Sequence, residues 1–169
     1  MQEDGEIQHK SSLGDADLKQ RIPEEEARAL LNTDRLCYDP QDWVPSKMQF
    51  GTYTLEAGLV EADGTRSGFQ VQLIVHRGGK TGLGHFHFDL FRATVSGPEP
   101  VYGLHVKQSP KALKTPHNLP HEHIGRKREA GELQWVKWNM FDALAHFTKM
   151  TRITFIPSVA DPEEFVLKP

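Results

Sequence analysis

Seven of the nine histidines fall between His76 and His123, in two arrangements that can do chemistry. His85 and His87 stand two residues apart, so on a strand both rings project from one face, with Asp89 following. Farther along, His121-Glu122-His123 is preceded by His117 and followed by Gly125-Arg126-Lys127-Arg128. Imidazole is the side chain whose unperturbed pKa lies nearest neutral pH. The first arrangement suits a divalent transition metal held by neutral imidazoles, with His105 as a further ligand from a later strand. The second has the parts for metal-independent RNA cleavage. One of His121 and His123 would take the 2′-hydroxyl proton and the other protonate the leaving oxygen, while Arg126 or Arg128 stabilises charge growing on phosphate. That route needs no cofactor.

Charge points the same way. From His105 to Arg128 the chain carries Lys107, Lys111, Lys114, Arg126, Lys127 and Arg128 against one acid, Glu122, although the net charge is only −3. Such a patch attracts RNA or another polyanion. Trp135 can offer a base-stacking face beside it, although core packing is the commoner use for both Trp135 and Trp138. The plainest alternative is a solvated basic loop. The acidic front end, with Glu3, Asp4, Glu6, Asp15, Asp17, Glu24, Glu25 and Glu26, suggests a third option. In that option the loop docks an acidic partner, or the tail of a second copy, with no catalysis.

The elements that must position these residues read as α+β: an antiparallel meander, a C-terminal helix packed on one face and a final strand. Residues 1–20 lack periodicity and large apolar side chains and are expected to form a disordered acidic tail, leaving 21–169 as a single domain. Pro23 with three following glutamates marks a helix start, and that helix should end near Asn32. Strands are expected from Phe50 to Val60, Phe69 to Val75, His85 to Thr94 and Val101 to Val106, with short turns between them. Phe86, Phe88 and Leu90 should enter the core behind the His85–His87 face. Residues 107–131 hold three prolines and two glycines, too many breakers for regular structure. Beyond them, Asn139 caps a helix to Met150 whose face Phe141, Leu144, Ala145 and Thr148 is expected to be buried, with Trp138 and Phe147 extending it. Arg152 to Ile156 returns as a strand.

A chain of 169 residues can bury a real core. The lone Cys37 excludes an internal disulfide and any cysteine-based zinc site. No apolar run reaches a membrane span and no signal-peptide core is present, so the expected setting is the cytoplasm, away from membranes. There is no phosphate-binding loop, dinucleotide fingerprint or nucleophile elbow.

Two resemblances bear on function. Gly79, His85 and His87 resemble the opening of the cupin metal motif, although the glutamate expected after them is replaced by Phe91 and Arg92. Separately, Pro120-His121-Glu122-His123-Ile124-Gly125-Arg126 is similar to the Pro-His-x-His-x-Gly segment of TumE-like toxins and related prophage-type domains. Trp135, the Phe141–Leu144–Phe147 spacing and Ile153-Thr154-Phe155 complete that likeness, which spans about half the chain. An Arg-Tyr-Asp-Asn-like element common upstream in that family is missing. This resemblance implies an RNA-directed toxin paired with a small antitoxin-like protein. It carries His121, His123 and Arg126 over as site residues. Self-association is also compatible with it.

Overall fold

The chain forms more strands than the five expected. The computed structural model describes residues 21–40, 42–110 and 119–166, and these form one nine-stranded sheet. The expected tail, His9, Lys111, Lys114 and His117 lie outside the described residues.

In chain order, α1 is Glu24–Leu31, β1 Arg35–Tyr38, β2 Val44–Pro45, β3 Thr52–Val60 and β4 Arg66–Arg77. Then come β5 Gly84–Thr94, β6 Gly97–Lys107, β7 His121–Ile124, β8 Lys127–Ala130 and a 3₁₀ turn at Leu133–Lys137. Helix α2 is Met140–Thr151, β9 is Ile153–Ile156 and α3 is Pro162–Val166. Strands β3 to β8 pair in chain order as an antiparallel meander, with short turns everywhere except between β6 and β7, which residues 108–120 connect. At its far side β1 joins β3 antiparallel and β9 parallel, so the sheet is mixed rather than wholly antiparallel. Among the described residues no helix is long and apolar enough to cross a membrane.

The core lies on one face only. Val71, Leu73, Val75, Phe86, Phe88, Leu90, Leu104 and Val106 alternate inward along β4, β5 and β6. Helix α2 seals them: Phe147 sits edge-on to Phe88 and packs on Tyr102, both with ring centroids 5.8 Å away. Its capping box is formed as expected, Asn139 Oδ1 accepting from Asp142 N and Asp142 Oδ2 from Asn139 N. The expected buried stripe is corrected, however. Met140, Ala143, Phe147 and Thr151 face inward, and Phe141 is 48% exposed. The aromatic and aliphatic side chains on either stripe read alike in sequence, and the sheet selects the one containing Phe147.

The irregular loop expected over 107–131 is also corrected. Its second half is the hairpin β7–β8, and Pro120 and Gly125 bracket strand β7 instead of breaking it. Gly125 takes φ +56°, and a side chain there would run into the Ile22 carbonyl. The bare backbone at this turn lets Arg126 N donate to Ile22 O and Gly125 N to Val101 O.

Candidate functional site

The face of the sheet opposite the core gathers the histidines. Antiparallel register aligns His87 on β5, His105 on β6 and His121 on β7 as one row across the strands. The next row is Gln72, Asp89, Gly103, His123 and Arg128, running from β4 to β8. Register partners on one face have Cβ atoms roughly 5 Å apart, so these side chains must meet. They do. Ring centroids lie 3.7 Å apart for His87–His105, 4.7 Å for His105–His121, 5.4 Å for His105–His123 and 5.1 Å for His121–His123. The two arrangements that look separate in the sequence are neighbours in one cluster.

Two overlapping ligand sets result. His105, His121 and His123 form one, and His87, Asp89 and His105 the other. In each set the donor atoms lie within 4.8 Å of one another. His105 belongs to both, and its Nε2 is buried without a hydrogen-bond partner. Burial first, and then the neighbouring His87, push its imidazole far below its ordinary value, so it is neutral. His121 is likewise depressed, chiefly by burial. Its Nδ1 lies 3.0 Å from Leu119 O; a carbonyl only accepts, so that nitrogen carries the proton and Nε2 keeps its lone pair. On β5, His87 Nε2 is 2.9 Å from Asp89 Oδ2, with the carboxylate almost buried. Backbone carbonyls and carboxylates that orient imidazoles in this way accompany metal-binding histidines.

Gly103 makes the second row possible. A Cβ there would lie 2.6 Å from Asp89 Oδ1 and 3.6 Å from His105 Nε2. The missing side chain leaves the Asp89 carboxylate and the His105 ring a shared space.

Of the residues singled out in the sequence, His87, His105, His121 and His123 converge. His85 stands one row farther out, exposed, between His76 and Lys107, and belongs to neither ligand set. Arg126 lies exposed in the β7–β8 turn with Nε donating to Arg21 O. Arg128, two residues on, is the cation in register with His123. Lys127 points to the other side, bonding Glu24 and Glu129. Trp135 is buried and stacked on Trp138, centroids 4.5 Å apart, so its ring serves packing.

Asp89, Gly103 and a buried network behind β7 go beyond the sequence reading. In that network Tyr102 OH donates to Glu122 Oε2 at 2.6 Å, and His146 Nε2 lies 3.0 Å from the same oxygen. Burial works against the Glu122 charge, but the bonds to His146 and Tyr102 outweigh it and hold the carboxyl below its ordinary value. The signal for Asp89 was present in His85-x-His87-x-Asp89, three positions of one strand face. For Gly103 it was Gly103-x-His105. No family model matches the chain, and no curated protein and no solved structure matches it either.

Proposed function

We propose that the chain binds a divalent transition metal through His87, Asp89, His105, His121 and His123, and that this centre is its working site. One observation carries the reading: His105 Nε2, buried and without a hydrogen-bond partner, sits among the donor atoms of both ligand sets. An unpaired buried imidazole nitrogen costs about 1–3 kcal/mol of desolvation, and a bound cation removes that penalty. Nitrogen-rich ligation with one carboxylate and no thiolate suits zinc, iron, nickel or copper over calcium or magnesium. Either three-donor set taken alone leaves a coordination position for water or substrate, as a catalytic centre requires.

The test is elemental analysis of full-length protein purified without a histidine tag. About one equivalent of a transition metal is expected, with loss of most of it in His105→Ala. A metal-free protein that also takes up no zinc in equilibrium dialysis rejects the reading.

A second reading keeps the cofactor out: RNA cleavage in the cytoplasm by a toxin-like protein held by a small antitoxin-like partner. It is favoured by the His121 geometry. The Leu119 carbonyl fixes Nε2 as a base, with the His123 ring 5.1 Å away and Arg128 alongside. Here Arg128 replaces Arg126 as the phosphate-holding cation. RNA turnover that persists in excess chelator and vanishes in the His121→Ala/His123→Ala double variant would select this reading over the metal.

A further inference from the structure

We propose that the cleft beside the histidine cluster holds the base of a nucleotide whose phosphate reaches the metal. The proposal rests on the metal reading and names its ligand class.

The cleft is on the same sheet face as the cluster. It has a volume of about 540 Å³ and is lined by Tyr38, Asp39, Glu56, Gln70, Gln72 and Phe91 among others. That size falls within the roughly 300–1,000 Å³ typical of small-molecule sites. It adjoins the metal site directly, because Gln72 is the register partner of Asp89 and Gln70 that of Phe91. Phe91 and Asp89 lie two residues apart on β5, about 6.6 Å along a strand, roughly the reach from base to phosphate within one nucleotide.

Polarity divides the surface in two. On the cluster side, Lys107 and Arg128 stand in register with His85 and His123. On the cleft side, among the described residues no lining side chain is a cation, and two are carboxylates. An anion is therefore favoured at one end and repelled at the other. The body of the ligand must not be anionic and must be rich in hydrogen-bond donors. Glutamine amides pair with the amino and ring-nitrogen edge of adenine, and carboxylates accept from exocyclic amino groups. Glu56 already accepts from Gln72 Nε2 at 2.6 Å, which orients that amide. Phe91, only partly buried, offers a ring face for stacking. A base bearing an exocyclic amine, adenine above all, meets all three demands, whereas uracil offers no amine.

The experiment is calorimetric titration of zinc-loaded full-length protein with AMP, UMP and a short oligoadenylate, with metal content measured on the same samples. AMP is expected to bind saturably and more tightly than UMP. Phe91→Ala should weaken AMP by about tenfold at unchanged metal content. Phe91→Trp, which keeps an aromatic face, should retain binding. Oligoadenylate binding more tightly than AMP identifies single-stranded RNA as the source of the nucleotide; equal affinity identifies the free nucleotide. Full metal occupancy without saturable AMP binding, or AMP affinity indifferent to Phe91→Ala, overturns the base pocket and leaves the metal reading standing. A chain that takes up no zinc removes the metal reading. AMP titrated against that chain then decides the cleft by the same Phe91 dependence.

Discussion

Strand β7 separates two polar clusters, one on each face of the sheet, and they differ in how their polar atoms are paired. Behind the strand, Glu122, Tyr102 and His146 satisfy one another within 3.0 Å, and Trp135 and Trp138 pack at a tilt against the His146 ring. In front of it, His87, His105, His121 and His123 crowd together with no charge of opposite sign among them except Asp89. A closed network of hydrogen bonds is what a fold needs from buried polar groups. A packed set of metal-ligating side chains around an orphaned nitrogen is instead what a ligand needs from a fold. Histidine occurs in both clusters; the accounting of partners tells them apart.

Mutating one member of each cluster should expose that difference. His105→Ala should lower metal affinity roughly a hundredfold, measured by competition with a chelator of known affinity. It should shift the denaturation midpoint of the metal-free chain by less than Glu122→Ala does. Conversely, Glu122→Ala removes the acceptor of two buried donors and should cost about 3 kcal/mol in urea or guanidinium unfolding. If His105→Ala proves the more damaging of the two to the metal-free chain, the front cluster is structural and the contrast collapses.

Gly103→Ala sharpens the contrast further. The added methyl would press on Asp89 Oδ1, displacing a ligand while leaving the network behind β7 untouched. Metal affinity should fall about tenfold, with a stability loss of roughly 1–2 kcal/mol. A smaller effect is expected from a pair remote from both clusters. Arg77 grips Asp161 through two bonds of 2.7 and 2.5 Å. Burial acts to raise the Asp161 carboxyl, but the Arg77 bonds prevail and hold it below its ordinary value. A depressed carboxylate binds fewer protons folded than unfolded, so its contribution is complete above the ordinary aspartate value and is lost as pH falls through the depressed one. Acid titration of stability should show a step in that window that Asp161→Asn abolishes. His105→Ala should leave that step in place.

The meander and the capped C-terminal helix were legible because their signals are local: alternation along Val71, Leu73 and Val75, and the Asn139–Asp142 box. The convergence of histidines was legible only in pieces. His85-x-His87 and His121-x-His123 each show a shared strand face, but their adjacency depends on register across β5, β6 and β7. No spacing along the chain records that register. Pro120 and Gly125 misdirected the reading of β7, since breakers at both ends of a four-residue strand look the same as breakers within a loop. The exposed Phe141 misdirected the reading of α2 for a related reason: an amphipathic helix can carry more apolar surface than its partner covers. Strand β1 was missed because Arg35–Tyr38 is short and pairs mainly with a segment far away along the chain.

That last pairing has a consequence for biogenesis. Arg35 through Tyr38 find their parallel partners only at Ile153 through Ile156. A nascent polypeptide emerging from the ribosome can zip its hairpins one after another, yet one margin of the sheet stays bare until Ile153 through Ile156 have been made. During that interval Leu36 and Cys37 have no neighbour on that side, and the exposed margin is the place where chaperones or aggregation would compete with correct folding.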